Sequence, residues 1–273
     1  MVSISLPSSV RQAEHAAYVS ADEAYDLLKT QFERLIALLE TLGPADWTRP
    51  TACTLWDVRA MVAHQAGGYA SGTGYGEMLR QYASPPKPGQ LPEDAVNEKQ
   101  VGERAGRTPR ELIAELRVSG PVAARKWAYA FKLAKLLSIP HPVPGVLSLR
   151  HLMLVIHSRD TWMHRLDICR ATGRAFEPSG QDKRIVELIM LDVAKTLARK
   201  APGPAIVFNL SGIGGGAWQI GEGQPAAVIS MDALDFCIFA SGRFSYAEAR
   251  AKAAISGSLE RAETALKNIL VLF

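Results

Sequence analysis

Ser148-Leu-Arg-His-Leu-Met-Leu-Val-Ile-His-Ser-Arg-Asp-Thr-Trp-Met-His-Arg-Leu-Asp-Ile-Cys-Arg-Ala-Thr172, closed by Gly173, reads as one long helix. The Ser148 hydroxyl can cap its start, and glycine suits the left-handed stop at its end. Within it Asp160 and His164 stand four apart, so both side chains leave one face with β-carbons about 5 to 6 Å apart. One cation can accept both. A carboxylate and a neutral imidazole leave most of a divalent charge uncompensated, so a third ligand from another helix is expected. Two histidines compete for that role: His64, set among Val62 and Ala63, and His157, three residues before Asp160 on nearly the same face. Asp167, three beyond His164, can orient the imidazole or pair with Arg165 or Arg170. Without a metal, Asp160 and His164 reduce to an ordinary i, i+4 pair, and His64 to a hydrogen-bonded core residue.

Upstream, Ser20-Ala-Asp-Glu23 is a capping box opening a helix whose Leu27, Leu28, Phe32, Leu35, Leu39 and Leu42 recur at helical spacing, ended by Gly43-Pro44. A second box, Thr54-Leu-Trp-Asp57, opens a helix that places His64 about three turns in. Residues 83–92 read as a polar, proline-rich loop. Thr108-Pro-Arg-Glu111 boxes a helix expected to reach Lys135, and Pro140, Pro142 and Pro144 make another loop. Four helices with no convincing strand among them predict an all-α bundle over residues 1–178. Beyond it the pattern changes. A helix around Ile185 to Leu197 precedes alternating runs at Ile206–Leu210, Ala217–Ile220 and Ala226–Ser230. Helices capped by Asp232 and Ser245, and a last one from Leu259 to Leu270, complete a small α+β domain over 179–273.

Composition narrows the function. Hydrophobic residues make up 48% and charged residues 21% of 273, the balance of a globular protein. The net charge of +4 is spread over mixed signs, with no basic run to hold nucleic acid. Met1 to Val10 has no leader pattern and no stretch is apolar enough to cross a bilayer, so no membrane partner and a cytoplasmic location are expected. Cys53, Cys169 and Cys237 form no CxxC pair and read as small buried hydrophobes, Cys53 being the one near the metal candidates in sequence. Gly212-Ile-Gly-Gly-Gly216 lacks the Walker lysine and the GxGxxG spacing, and reads as a hairpin turn. Trp47, Trp56 and Trp162 read as packing residues.

Trp47-Thr-Arg-Pro-Thr-Ala-Cys-Thr-Leu-Trp-Asp-Val-Arg-Ala-Met-Val-Ala-His64, with Arg159-Asp-Thr-Trp-Met-His-Arg-Leu-Asp167, resembles the mycothiol-dependent maleylpyruvate isomerase family, a branch of the DinB-like metal proteins. The C-terminal Trp218-Gln-Ile-Gly221, Asp232-Ala-Leu-Asp235 and Ala240-Ser-Gly-Arg243 resemble the sterol-carrier-like domain that follows the bundle in that family. The resemblance implies a DinB-like four-helix bundle followed by a sterol-carrier-like α+β domain. It implies zinc (Zn2+) on His64, Asp160 and His164, choosing His64 over His157, with aspartate where glutamate is also found. It further implies mycothiol, an actinobacterial thiol, as cofactor or co-substrate, and a small electrophilic molecule as substrate. The expected activity is thiolate addition, ending in S-transfer or in cis-trans isomerisation. Two histidines and one carboxylate leave a coordination position open to water or thiol, which favours an enzyme over the alternative, a metal-containing binder of an apolar ligand. Arg243, in a Gly-Arg turn, can anchor a substrate carboxylate or simply cap a helix end.

Overall fold

The computed structural model describes residues 6–273, so Met1 to Ser5 of the stretch read for a leader lie outside it. The chain forms two compact units. One comprises Val19–Pro142 and Val146–Phe176, the other residues 6–18, Val143–Gly145 and Glu177–Phe273. A short strand, β1 (Arg11–Gln12), precedes the first helix.

The helical unit begins with α1 (Ala21–Leu39), whose N-cap Ser20 accepts from the Glu23 amide at 3.1 Å. α2 (Val58–Ser71) follows. Its cap is Asp57, which accepts from Ala60 at 2.7 Å, so Thr54 lies outside the helix and His64 falls about two turns in, not three. Two helices unforeseen in the sequence come next, α3 (Tyr75–Tyr82) and α4 (Pro92–Gly102). Their faces are largely polar, which hides the helical period. α5 (Pro109–Tyr129) opens with the expected Thr108–Glu111 box but stops short of Lys135, because Phe131 turns left-handed at φ 47°.

The three-proline segment is more than a loop: β2 (Ser138–His141) and β3 (Gly145–Ser148) make a two-stranded sheet. The long helix is also interrupted. α6 (Leu149–His151) gives way to a π segment, Leu152–Ile156, before α7 (His157–Thr172). Ser148 stands at the N-cap position but its hydroxyl makes no cap bond, while Gly173 stops α7 at φ 71° as expected. α1 packs on α5 and α7, and α2 on α5, around Leu28, Leu35, Met61, Val62, Leu112 and Trp127. Gly120 makes the α1–α5 contact possible, since a β-carbon there would lie 2.1 Å from the Phe32 ring.

The other unit is α+β. α8 (Asp182–Lys200) leads to β4 (Ile206–Ser211), β5 (Gly216–Ile220) and β6 (Ala227–Asp232). α9 (Ala233–Ala240), α10 (Tyr246–Lys252), β7 (Ala254–Gly257) and α11 (Leu259–Lys267) complete it. The sheet order is β1-β5-β4-β6-β7. β4 runs antiparallel to β5 and parallel to β6, with Ile206 opposite Ile220 and Ala227. The central strands are near-continuous apolar runs because both faces are covered. Gly212 to Gly215 is the β4–β5 hairpin connection, with Gly212 at φ 78° and Gly214 at φ 77°, and Gly216 already pairs with Leu210 as the first residue of β5. Among the described residues no helix is long and apolar enough to cross a membrane.

Candidate metal centre

His64 on α2 meets Asp160 and His164 on α7. Their ligand atoms all lie within 4.8 Å of one another. His164 Nε2 is 3.1 Å from Asp160 Oδ1, and His64 Nε2 is 3.5 Å from Asp160 Oδ2. The other edge of each imidazole is already engaged. His64 Nδ1 donates to Gln100 Oε1 at 2.8 Å, and His164 Nδ1 donates to Asp167 Oδ2 at 3.1 Å. Gln100 is itself fixed, its amide donating to Gln81 Oε1 at 2.7 Å while Gln81 donates to the Gly67 carbonyl at 3.0 Å.

These bonds decide the chemistry of the centre. A neutral imidazole that carries its proton on Nδ1 aims the lone pair of Nε2 outward. Here two such lone pairs converge on a carboxylate, an arrangement that needs a cation or extra protons among them. Two imidazoles and one carboxylate fit a borderline divalent ion such as zinc, and the acceptors behind the rings are the partners that ligating histidines use. Asp160 is held in turn by Gln65, whose amide donates to Oδ2 at 2.5 Å, and Gln65 Oε1 accepts from the Thr161 hydroxyl at 3.0 Å.

Burial pushes the Asp160 carboxyl up, but positive charge and N–H donation from the His164 and His64 edges, the extra protons that stand in for a cation, outweigh it and hold the group well below the usual carboxylate range. The carboxylate side of the centre is the more open: the Asp160 side chain is 19% exposed against 4% for His164. Trp56 stacks on His64 with ring centroids 4.9 Å apart. The residue read as bundle packing thus also covers an imidazole and keeps water from that face.

His157 is not part of this cluster. It stacks on Trp127 at 3.9 Å, and burial drives its pKa down to about 4, so it is a neutral packing group. Arg243 lies in the α+β unit, half-buried, in the turn after α9, where Gly242 adopts φ 79° and the Arg243 amide returns to the Ile238 carbonyl at 3.0 Å. Sequence reasoning missed Gln100, Gln65 and Gln81. For Gln65 the signal was present, since it adjoins His64 within an apolar run, whereas Gln100 stands in a polar segment with nothing to distinguish it.

Comparison with known proteins agrees with this architecture. The model of the mycothiol maleylpyruvate isomerase N-terminal domain matches residues 28–169. Two solved structures, the mycothiol-dependent maleylpyruvate isomerase and an alanine mutant of one of its histidines, each superpose with a TM-score of 0.58 at 16% identity. Each comparison covers 89% of this chain and 96% of the other, which shows a shared fold of helical bundle and α+β domain. No curated protein matches the chain.

Proposed function

The chain belongs to the mycothiol maleylpyruvate isomerase family, and from that premise we propose that it is a metal-dependent enzyme acting with mycothiol on a small electrophilic substrate. The observation that carries the reading is the convergence of two imidazole Nε2 edges on Asp160 with both Nδ1 atoms already bonded. His64, Asp160 and His164 would hold the ion, zinc by the nature of its donors. When bound, the ion supplies Lewis acidity and mycothiol supplies the sulfur nucleophile, whose reversible addition to an unsaturated carbon allows cis-trans isomerisation and whose lasting addition gives S-transfer. The names of the similar structures favour isomerisation.

The chain's own residues set the conditions for that chemistry. Gln100 and Asp167 keep the ring protons on Nδ1, so both Nε2 atoms stay available as ligands. Gln65 fixes the Asp160 carboxylate, and Trp56 shields the His64 ring. With one negative charge among three ligands, a divalent ion held by His64, Asp160 and His164 would keep net positive charge and would favour a thiolate over a thiol.

For Arg243 we propose, separately, bidentate capture of a substrate carboxylate; the support is guanidinium chemistry alone. Arg243→Ala is then expected to raise KM for a carboxylate substrate, and an unchanged KM removes the residue from that role. We also propose residues 1–178 as the metal-binding domain and 179–273 as the C-terminal domain. Strand β1 precedes that boundary yet pairs with β5 beyond it, so residues 6–18 pack with the C-terminal unit.

Calorimetric titration of the zinc-loaded protein with mycothiol tests the central reading. Saturable binding that disappears in His64→Ala is expected; absence of binding to the loaded protein, or equal binding by the variant, would overturn it.

A further inference from the structure

Cys53 is half-buried, whereas Cys169 and Cys237 are buried. The segment carrying it is firmly tied. Pro50 and Asp57 form an antiparallel bridge, the Val58 amide donates to the Arg49 carbonyl at 3.0 Å, and the Trp56 amide donates to the Cys53 carbonyl at 2.7 Å. The Thr51 hydroxyl accepts from the Cys53 amide at 3.2 Å. The turn therefore presents two side chains to the centre at once: Trp56 against His64, and Cys53 toward α7. The Cys53 sulfur, a nitrogen of His164 and an oxygen of Asp167 lie within 4.8 Å of one another. Asp167 faces the Nδ1 edge of His164, opposite the edge that faces Asp160.

We propose that Cys53, Asp167 and Nδ1 of His164 form a second site for a thiophilic divalent cation, one that shares His164 with the first site and competes for it. A thiolate and a carboxylate together neutralise a divalent charge, where the first site offers one carboxylate. The sulfur selects zinc or cadmium over magnesium or calcium, which prefer oxygen. Competition follows from the imidazole itself, because the neutral ring has one lone pair and one proton. Binding at Nδ1 releases the Cys53 thiol proton to solvent and moves the ring proton to Nε2, where Asp160 Oδ1 stands 3.1 Å away to accept it. Filling the second site thus withdraws a ligand from the first. The inference shares His164 with the reading above but does not require that centre to be catalytic.

Cadmium titration of the whole chain, followed by thiolate-to-cadmium charge-transfer absorption, tests it. The band is expected in the wild type, at lower cadmium concentration in His64→Ala because the competing site is dismantled, and not at all in Cys53→Ser. A missing band in both wild type and His64→Ala overturns the proposal. So does an undiminished band in Cys53→Ser, which would assign it to Cys169 or Cys237. A second readout uses only the wild type: cadmium should protect Cys53 from alkylation by iodoacetamide, followed by peptide mass, and unprotected Cys53 at saturating cadmium overturns the proposal. Zinc loss in His64→Ala made in a Cys53→Ser background reports on the first site alone, so the two readings fail separately.

Discussion

In the helical unit the buried interior includes Gln65, Gln81, Gln100, Arg159, His164 and Asp167, whereas in the α+β unit it is built from residues such as Ile206, Phe208, Trp218, Val228 and Phe236. Asp182, Thr196 and Arg261 are the polar exceptions among the described residues of the second unit. Burying a polar group costs stability unless a partner satisfies it, so a network of this kind is retained where direction matters more than packing. The helical unit spends interior volume on aiming two imidazoles and a carboxylate, and the α+β unit spends its own on close packing. Substitutions should therefore fall into two classes, one that loosens the fold and leaves the proposed metal centre intact, and one that does the reverse.

The largest expected effect tests the packing side. Phe208→Ala, which empties a fully buried site against Phe236, should cost about 3 to 5 kcal/mol in denaturant unfolding. Zinc affinity of the folded variant should not change; a parallel loss of zinc would break the division between the units. The next effect comes from acid. His157 titrates at about 4 in the folded chain and near its ordinary 6.5 when unfolded, so the unfolded state takes up the proton first as pH falls. The stability it contributes is complete above about pH 6.5 and is lost toward pH 4, up to about 3 kcal/mol for the metal-free protein. His157→Phe should flatten that part of the stability profile, and an unaltered slope would show that the ring is not buried neutral.

Gln100→Leu and Asp167→Asn probe the network behind the ligands. Each should weaken zinc binding by about 10- to 100-fold while leaving the ligands in place. Competition with a chelator of known affinity measures this, and wild-type affinity in both variants would reduce the network to ordinary packing. The smallest effect belongs to the far unit: Ser245→Ala removes the cap of α10 and should cost about 1 kcal/mol, with the zinc affinity again unmoved.

Much of this division is legible in the sequence. The i, i+4 spacing of Asp160 and His164 places them on one face of α7, and the boxes at Ser20, Thr108 and Ser245 mark helix starts that the structure keeps. Strands β4, β5 and β6 follow their apolar runs closely. What escaped has physical causes. The π segment inserts itself into an unbroken run, Leu152 to Ile156, where every residue is apolar and periodicity carries no phase. Strands β1 and β7 are short edge strands, defined by pairing with β5 and β6 more than by their own residues. Phe131 adopts a left-handed conformation that no local pattern announces. Spacing alone left His64 and His157 as rivals, and the geometry separates them: one imidazole meets Asp160, the other stacks on Trp127.

The account rests most directly on the metal content of three purified proteins, the wild type, His64→Ala and His164→Ala, measured by mass spectrometry after exhaustive dialysis. It predicts about one zinc per chain in the wild type, none retained in His164→Ala, which lacks the imidazole both sites share, and in His64→Ala only what the Cys53 site holds. Zinc content unchanged in both variants would contradict it.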